Sequence, residues 1–397
     1  MRSGIDRRLM VALSGGHLAV DFASGSVPAL IPFLRERFHL GYALAATLLL
    51  AATLSSSLVQ PAFGLRSDRR GALWLIPGGA LVAATGIGAA AVAPAYPLVL
   101  VLVLVGGLGI AAFHPEGAKS AAYASGNKRA SGMSYFNAGG NTGYALGAFA
   151  TGQLVVTFGL VGGVIAMIPV FGMSLVLARL APELSELKRT APVQAIPAGI
   201  DQRRAMGLLA AVIALRSIPW FALLAFMPLW LVSFGHSKTY GDRVLFGMLL
   251  AGALGTLALG PVADRVGLRR TLILTQALIA PLMLAFVYVG GTIGVLALVL
   301  NGACVVGTFG VTMVLSHQYL PRHVGVASGL SVGLSMGIGG IAAVGLGALA
   351  DTVNLKTALT VSAIPPLFGI LLSLKLPAPT FRAPGHLQPT TSVAPTS

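Results

Sequence analysis

The sequence predicts an all-α polytopic membrane protein whose twelve spanning helices form two halves of six. Three observations predict it. Of 397 residues, 56% are hydrophobic and 9% charged, with a mean hydropathy of +0.86, whereas a soluble domain carries about 25% charged residues. Apolar stretches of roughly 20 residues, enough to cross hydrocarbon as helix, recur along the chain. Two short motifs also return at nearly one spacing, as a duplicated half would place them. Backbone groups in lipid need internal partners, so repeated segments of this kind mean a helical bundle.

In chain order, the spans lie near 9–33, 41–64, 72–93, 96–121, 130–157, 160–180, 205–234, 241–263, 270–289, 292–319, 324–350 and 354–375. The basic start, Arg2, Arg7 and Arg8, runs into an apolar stretch too long for a cleaved signal. The longest polar connection, "APELSELKRTAPVQAIPAGIDQRR", separates spans six and seven. The expected organisation is a half over 1–181, a linker over 182–204, a half over 205–376 and a disordered tail over 377–397, rich in Pro, Ser and Thr. The 51 glycines suit close helix approach in lipid. Cys304 is the single cysteine, which excludes an internal disulfide and a cysteine metal cluster.

The net charge of +15 is a topology signal. Of the 26 Lys and Arg, 20 fall at the termini, the even-to-odd loops and the helix ends beside them; Arg35, Arg37, Lys238, Arg243 and Lys356 fall on the opposite side. The positive-inside rule then makes both termini cytoplasmic, and nucleic acid is not an expected partner.

After span two stands "GLRSDRRG" (64–71) and after span eight "GPVADRVG" (260–267), both G-x-x-x-D-R-x-G and offset by 196. "ASGMS" (130–134) opens span five and "ASGLS" (327–331) span eleven, offset by 197. A parallel six-helix duplication with a midplane site between halves is the plan of major facilitator transporters, and the two loops resemble that superfamily's signature. Asp68 and Arg69 in the first copy, and Gly260, Asp264, Arg265 and Gly267 in the second, would be its gating residues. A carboxylate at a helix end can dock on a neighbouring helix N-terminus. The first copy departs from the signature at Arg66 and at Ala72-Leu73, so the gating role is carried more securely by the second.

Ionisable residues at membrane depth cost at least ~2.5 kcal/mol each on insertion scales and mark function. In "GGHLAVDFASG", His17 and Asp21 are four apart on one helical face. A carboxyl buried alone tends to hold its proton and a nearby cation restores its charge, so Asp21 is the leading proton carrier, with His17 beside it. "FHPEGAK" (113–119) places His114, Pro115 and Glu116 at the inner end of span four; the proline predicts a kink and the two ionisable residues join the proton-coupling candidates. Lys119 reads as a boundary residue. Arg216, inside span seven, either pairs with Asp21 or Glu116 or binds an anionic substrate, which its fork suits. In span five, Ser134, Asn137 and Asn141 share a stripe, while Gly139, Gly143 and Gly147 form a small-residue stripe for close packing. The asparagines, with Tyr135, His17 and Arg216, are the candidate substrate ligands. His317 and Gln318 read as interfacial.

Combined, H-x-x-x-D in span one, Gln60-Pro61 at the end of span two and His114-Pro115-Glu116 in span four resemble the fosmidomycin-resistance family of bacterial exporters. "YASGNKRASGMSYFNAGGNTG", "RSIPWFALLAFMPLWLV" and "QYLPRHVGVASGLSVGLSMGIGGI" are similar to its segments, so the resemblance covers the chain except its tail. It implies proton-driven antiport of a small organic anion such as a phosphonate antibiotic, by a monomer in the bacterial inner membrane, with no cofactor or metal. Ala148 after Gly147 departs from the Gly-Pro common in antiporter helices. Import of a nutrient anion is the alternative. An intramembrane enzyme using His114 and Glu116 is disfavoured, since no nucleophile pair or H-E-x-x-H is present, and a sensor would lack an output domain.

Overall fold

The structure is a computed structural model describing residues 4–70, 72–126, 129–190 and 200–377. The first half comprises α1 (Arg7–Arg37), α2 (Tyr42–Thr53), a π-helical turn (Leu54–Leu58), α3 (Gln60–Arg70), α4 (Leu75–Val92), α5 (Tyr96–Ala124), α6 (Arg129–Phe158), α7 (Val161–Ile165) and α8 (Ile168–Thr190). The second comprises α9 (Arg203–Ser233), α10 (Lys238–Val266), α11 (Leu268–Tyr288), α12 (Gly291–Tyr319), α13 (Val324–Thr352), α14 (Leu355–Ser362) and α15 (Pro365–Leu374). These make twelve crossings: α2 to α3, α7 with α8, and α14 with α15 each complete one. Eleven of the helices or helix runs are long and apolar enough to span a membrane. The twelfth crossing, α6, carries the polar run that dilutes its hydropathy.

The sequence-based spans match these helices to within a few residues at their ends, with three differences of substance. The second crossing is interrupted: a π turn with Ser55 to Ser57 precedes a bend at Val59 and a fresh helix from Gln60, where Pro61 follows. The helix through Pro115, by contrast, runs uninterrupted. The expected linker 182–204 is partly helical, because α8 continues through Pro182 to Thr190. Its polar extension is held by Arg8–Glu183 (3.1 Å) and Arg189–Glu186 (2.9 Å) ion pairs. Residues 191–199 and 378–397, the rest of the linker and nearly all of the tail, lie outside the described residues.

Sequence-local rules set the helix ends. Asp6, Ser237 and Asn354 cap α1, α10 and α14 by accepting from Leu9, Tyr240 and Thr357 N–H. Gly267 lies at φ +98°, a backbone that side chains rarely adopt, and joins α10 to α11 in a single residue.

The duplication is visible in the hydrogen bonds. Asp6 N–H donates to Ala124 O (2.8 Å), and Gln202 N–H donates to Tyr319 O (2.7 Å). Each ties the start of a half to the end of its fourth crossing, at offsets of 196 and 195 residues.

With twelve crossings, both described ends of the chain reach one face, here the termini face; the opposite one is the far face. Among the described residues, the polar and aromatic contacts between halves lie toward the far face. Lys238 is bonded to Glu36 and lies over the Phe33 ring (4.9 Å). Phe149 meets Phe246 (4.9 Å), and Tyr42 meets Phe226 (6.2 Å). Asp351 of α13 accepts from Tyr42 N–H (2.7 Å) and Ala43 N–H (2.9 Å), capping α2 across the two halves. The halves are therefore closed at the far face.

Candidate functional site

The site is built on the α1–α6 pair. A side-chain carbon at Gly139, Gly143 or Gly147 would lie 2.3, 2.0 or 2.0 Å from the carbonyl oxygen of Ser14, Leu18 or Phe22. The expected small-residue stripe is thus a row of backbone-on-backbone contacts, each one turn above the last. Between them, a carbon at Gly140 would lie 2.5 Å from His17 Nε2 and 2.7 Å from Asp21 Oδ2, so glycine makes room for both side chains.

Asp21 lies between two imidazoles. His17 Nε2 is 3.2 Å from its Oδ2, and His114 Nε2, from α5, is 3.3 Å from its Oδ1. Each ring is oriented from behind: His17 Nδ1 donates to Phe136 O and His114 Nδ1 to Ile110 O, both at 2.8 Å. His17 also stacks on Phe136, centroids 4.1 Å apart, and meets His114 edge-on at 5.1 Å. His17 is nearly buried, while the Asp21 and His114 side chains keep 19% and 23% exposure, so the cluster is open to a small ligand.

The tautomers follow from the partners. A carbonyl only accepts, so both Nδ1 atoms carry hydrogen. Each contact between an Nε2 and the Asp21 carboxyl then needs one hydrogen, carried by the ring or by the carboxyl. The three side chains also bring ligand atoms within 4.8 Å of one another and could hold a metal ion.

Arg216, on the other half, is 3% exposed and donates to Thr308 Oγ1 of α12. Among the described residues it forms no ion pair, so the alternative of a pair with Asp21 or Glu116 is not realised here. Asp21 and Arg216 are offset by 195 residues, and His114 and Thr308 by 194. The first and fourth crossings of each half thus carry equivalent polar pairs, acid with imidazole in one and guanidinium with hydroxyl in the other. Asp21 and Arg216 both lie about 20 Å along their helices from the termini face, at ~1.5 Å per residue.

The other sequence candidates separate. Glu116 is fully buried and engaged, two residues from His114 and so on another side of α5; it does not join the cluster. Asn137 is exposed and Asn141 half-buried, and no hydrogen bond within the described residues engages either amide. They share a stripe with Tyr144, whose hydroxyl lies within the electrostatic reach of Asp21. Tyr135, nine residues from Tyr144, lies half a turn around α6 and is 59% exposed. Pro115 packs near Gly64 of α3. Asp264, Arg265 and Gly260 are exposed, and among the described residues no hydrogen bond docks Asp264 on a helix. The side chains of Asp68 and Arg69 lie outside the described residues. A carboxylate docked on a neighbouring helix N-terminus does exist, but it is Asp351 at the far face. His317 and Gln318 are half-buried near the termini-side end of α12. Asp351 and the buried Asp242 are two acidic residues for which the sequence carried no motif.

The sequence profile of the Major Facilitator Superfamily matches residues 13–344 and again 213–391. The chain belongs to the major facilitator superfamily. It is 31% identical over 380 residues to an uncharacterized transporter of that type from Bacillus subtilis, spanning 92% of each chain. It is 28% identical over 372 residues to the fosmidomycin resistance protein of Escherichia coli, spanning 91% of each. In fold it is similar to a bacterial homolog of the human lysosomal transporter Spinster (TM-score 0.76, 13% identity, 93% of this chain and 96% of that one). A nucleoside transporter gives 0.71 at 12% identity, covering 93% and 99%. The facilitator fold places the Asp21 and Arg216 pairs on the two halves that such transporters move against each other.

Proposed function

We propose that this facilitator is a proton-coupled antiporter that exports a small organic anion, with a phosphonate antibiotic of the fosmidomycin type as the leading class. The observation that carries the reading is a His17–Asp21–His114 cluster in one half and a buried Arg216 in the other, which forms no ion pair among the described residues. Arg216 takes the anionic end of the substrate through its guanidinium fork. A hydrogen-bond donor at the other end, such as a hydroxyl, is received by Asp21, with Asn137 and Asn141 beside it. Proton and donor then compete for one carboxylate, which is what antiport requires. The similarity to the fosmidomycin resistance protein supports this substrate class. The lysine and arginine distribution supports cytoplasmic termini, so this arrangement faces the cytoplasm in an inner membrane. The chain works as a monomer, and Gly260, Asp264, Arg265 and Gly267 guard the cytoplasmic opening when the halves reverse.

A second reading has its own observation. Two imidazoles face the one Asp21 carboxyl, and whenever both rings are cationic the cluster carries net positive charge, which attracts an anion rather than competing with it. A substrate that places its anion at the cluster would be imported by symport. The sign of the pH effect on binding separates the two. For the purified protein and fosmidomycin, antiport predicts that affinity falls as the solution is acidified, and symport predicts that it rises. An affinity independent of pH in a protein that binds the compound would remove proton coupling from this site.

A further inference from the structure

Asp242 lies in the second turn of α10, at the far-face end of the seam between halves. Its side chain has no exposure, and among the described residues neither carboxylate oxygen has a hydrogen-bond partner. It is pressed against the other half: a side-chain carbon at Gly152 of α6 would lie 2.2 Å from Oδ2. One turn on, Phe246 of α10 closes the same seam against Phe149. Among the described residues, Lys238, four positions earlier on α10, is the charged group that acts on Asp242. Its ammonium is already bonded to Glu36 of α1. Arg243, the next residue, is exposed. The residues that α6 and α9 pack here, Phe149, Gly152 and Pro228, are not titratable.

An ionised carboxylate buried without hydrogen bonds is costly, and such a group takes a proton instead. The cost exists only while Gly152 covers it. When the halves part at the far face, as a facilitator cycle requires, the carboxyl meets water and can release that proton there. We propose that Asp242 is a second proton-binding site, at the seam between halves, that binds a proton when the far face closes and releases it when the far face opens. The proposal rests on alternating access, which the family supplies, and not on Asp21.

The test is a pair of nitroxide labels on Phe158→Cys and Val353→Cys, exposed positions at the far ends of α6 and α13, in a Cys304→Ser background. Distances are measured by pulsed electron resonance in nanodiscs from about pH 5 to about pH 9. One proton released on opening makes the open-to-closed ratio rise by up to about tenfold per pH unit. The proposal expects that slope in the parent protein and its loss in Asp242→Asn, which stays closed throughout. The smaller neutral Asp242→Ser carries the same expectation should the asparagine variant fold poorly. A slope that survives in the neutral Asp242 variants, or is absent from the parent, overturns the proposal. A slope lost in Asp21→Asn alone overturns it too, while leaving the Asp21 reading intact.

Discussion

Arg216 is the residue whose role separates binding from stability most cleanly. Its guanidinium is buried and, among the described residues, is bonded to the Thr308 hydroxyl and to no carboxylate, so an incoming anion would be its charged partner. A hydrogen bond to a charged group contributes about 1.5–3 kcal/mol. Arg216→Lys, which keeps the charge but loses the fork, is expected to weaken fosmidomycin binding by about tenfold or more while leaving the melting temperature nearly unchanged. Titration calorimetry on the purified variant checks this, and parent-like affinity would remove Arg216 from the site. Half of this chemistry was legible in the sequence. His17 and Asp21 share one helix, so their four-residue spacing declares their contact. That His114 completes the cluster while Glu116 turns away depends on how α5 rotates against α1, which no local pattern encodes. Asp242 and Asp351 lie near loops, where a lone acid reads as a solvated surface residue; only the packing of the other half gives them meaning.

At the scale of elements, the α1–α6 contact sets the site's geometry. Gly143→Ala would drive a methyl group into the Leu18 carbonyl, and overpacking of this kind costs about 1–3 kcal/mol. Its melting temperature in detergent is expected to drop by several degrees, whereas Gly172→Ala, with open space around it, should match the parent. Equal melting temperatures for the two would contradict the packing account. The linker's end has its own anchor. Asp201 accepts from Arg322 N–H (3.1 Å) and is bonded to His323 Nδ1, fastening the start of α9 to the α12–α13 turn. Slight desolvation raises its pKa, but the hydrogen bonds and charges of His323 and Arg322 outweigh it and hold the value below the ordinary 3.8. A lowered carboxylate stabilises the fold above its ordinary value, and that contribution is lost as pH falls through the lowered one. Asp201→Asn is therefore expected to lose stability at neutral pH and to match the parent in strong acid, by thermal unfolding at both. The helix spans themselves were legible because hydropathy and length decide them. The π turn before Gln60 was not, since serines in an apolar run do not announce a change of helical pitch.

At the scale of the molecule, the two halves repeat one plan with opposite charge, and they are latched at the far face. Asp351 caps α2 across the seam, and a cap of this kind contributes ~1 kcal/mol, about fivefold in an equilibrium. Asp351→Ala should shift the population toward far-face opening by about that factor, read as faster maleimide labelling of a cysteine placed at Phe226, which the closed seam buries; unchanged labelling would mean that the cap does not hold the closed state. The duplication was legible from two motifs at matching offsets, and the structure adds the Asp6–Ala124 and Gln202–Tyr319 bonds at the same spacing. The central claim is that proton storage at Asp21 drives transport. Its most direct test is fosmidomycin counter-transport into proteoliposomes under an imposed pH gradient, comparing the parent with a folded Asp21→Asn variant. The account predicts that the variant loses gradient-driven accumulation while retaining measurable binding through Arg216. Accumulation that still follows the pH gradient in Asp21→Asn would contradict it.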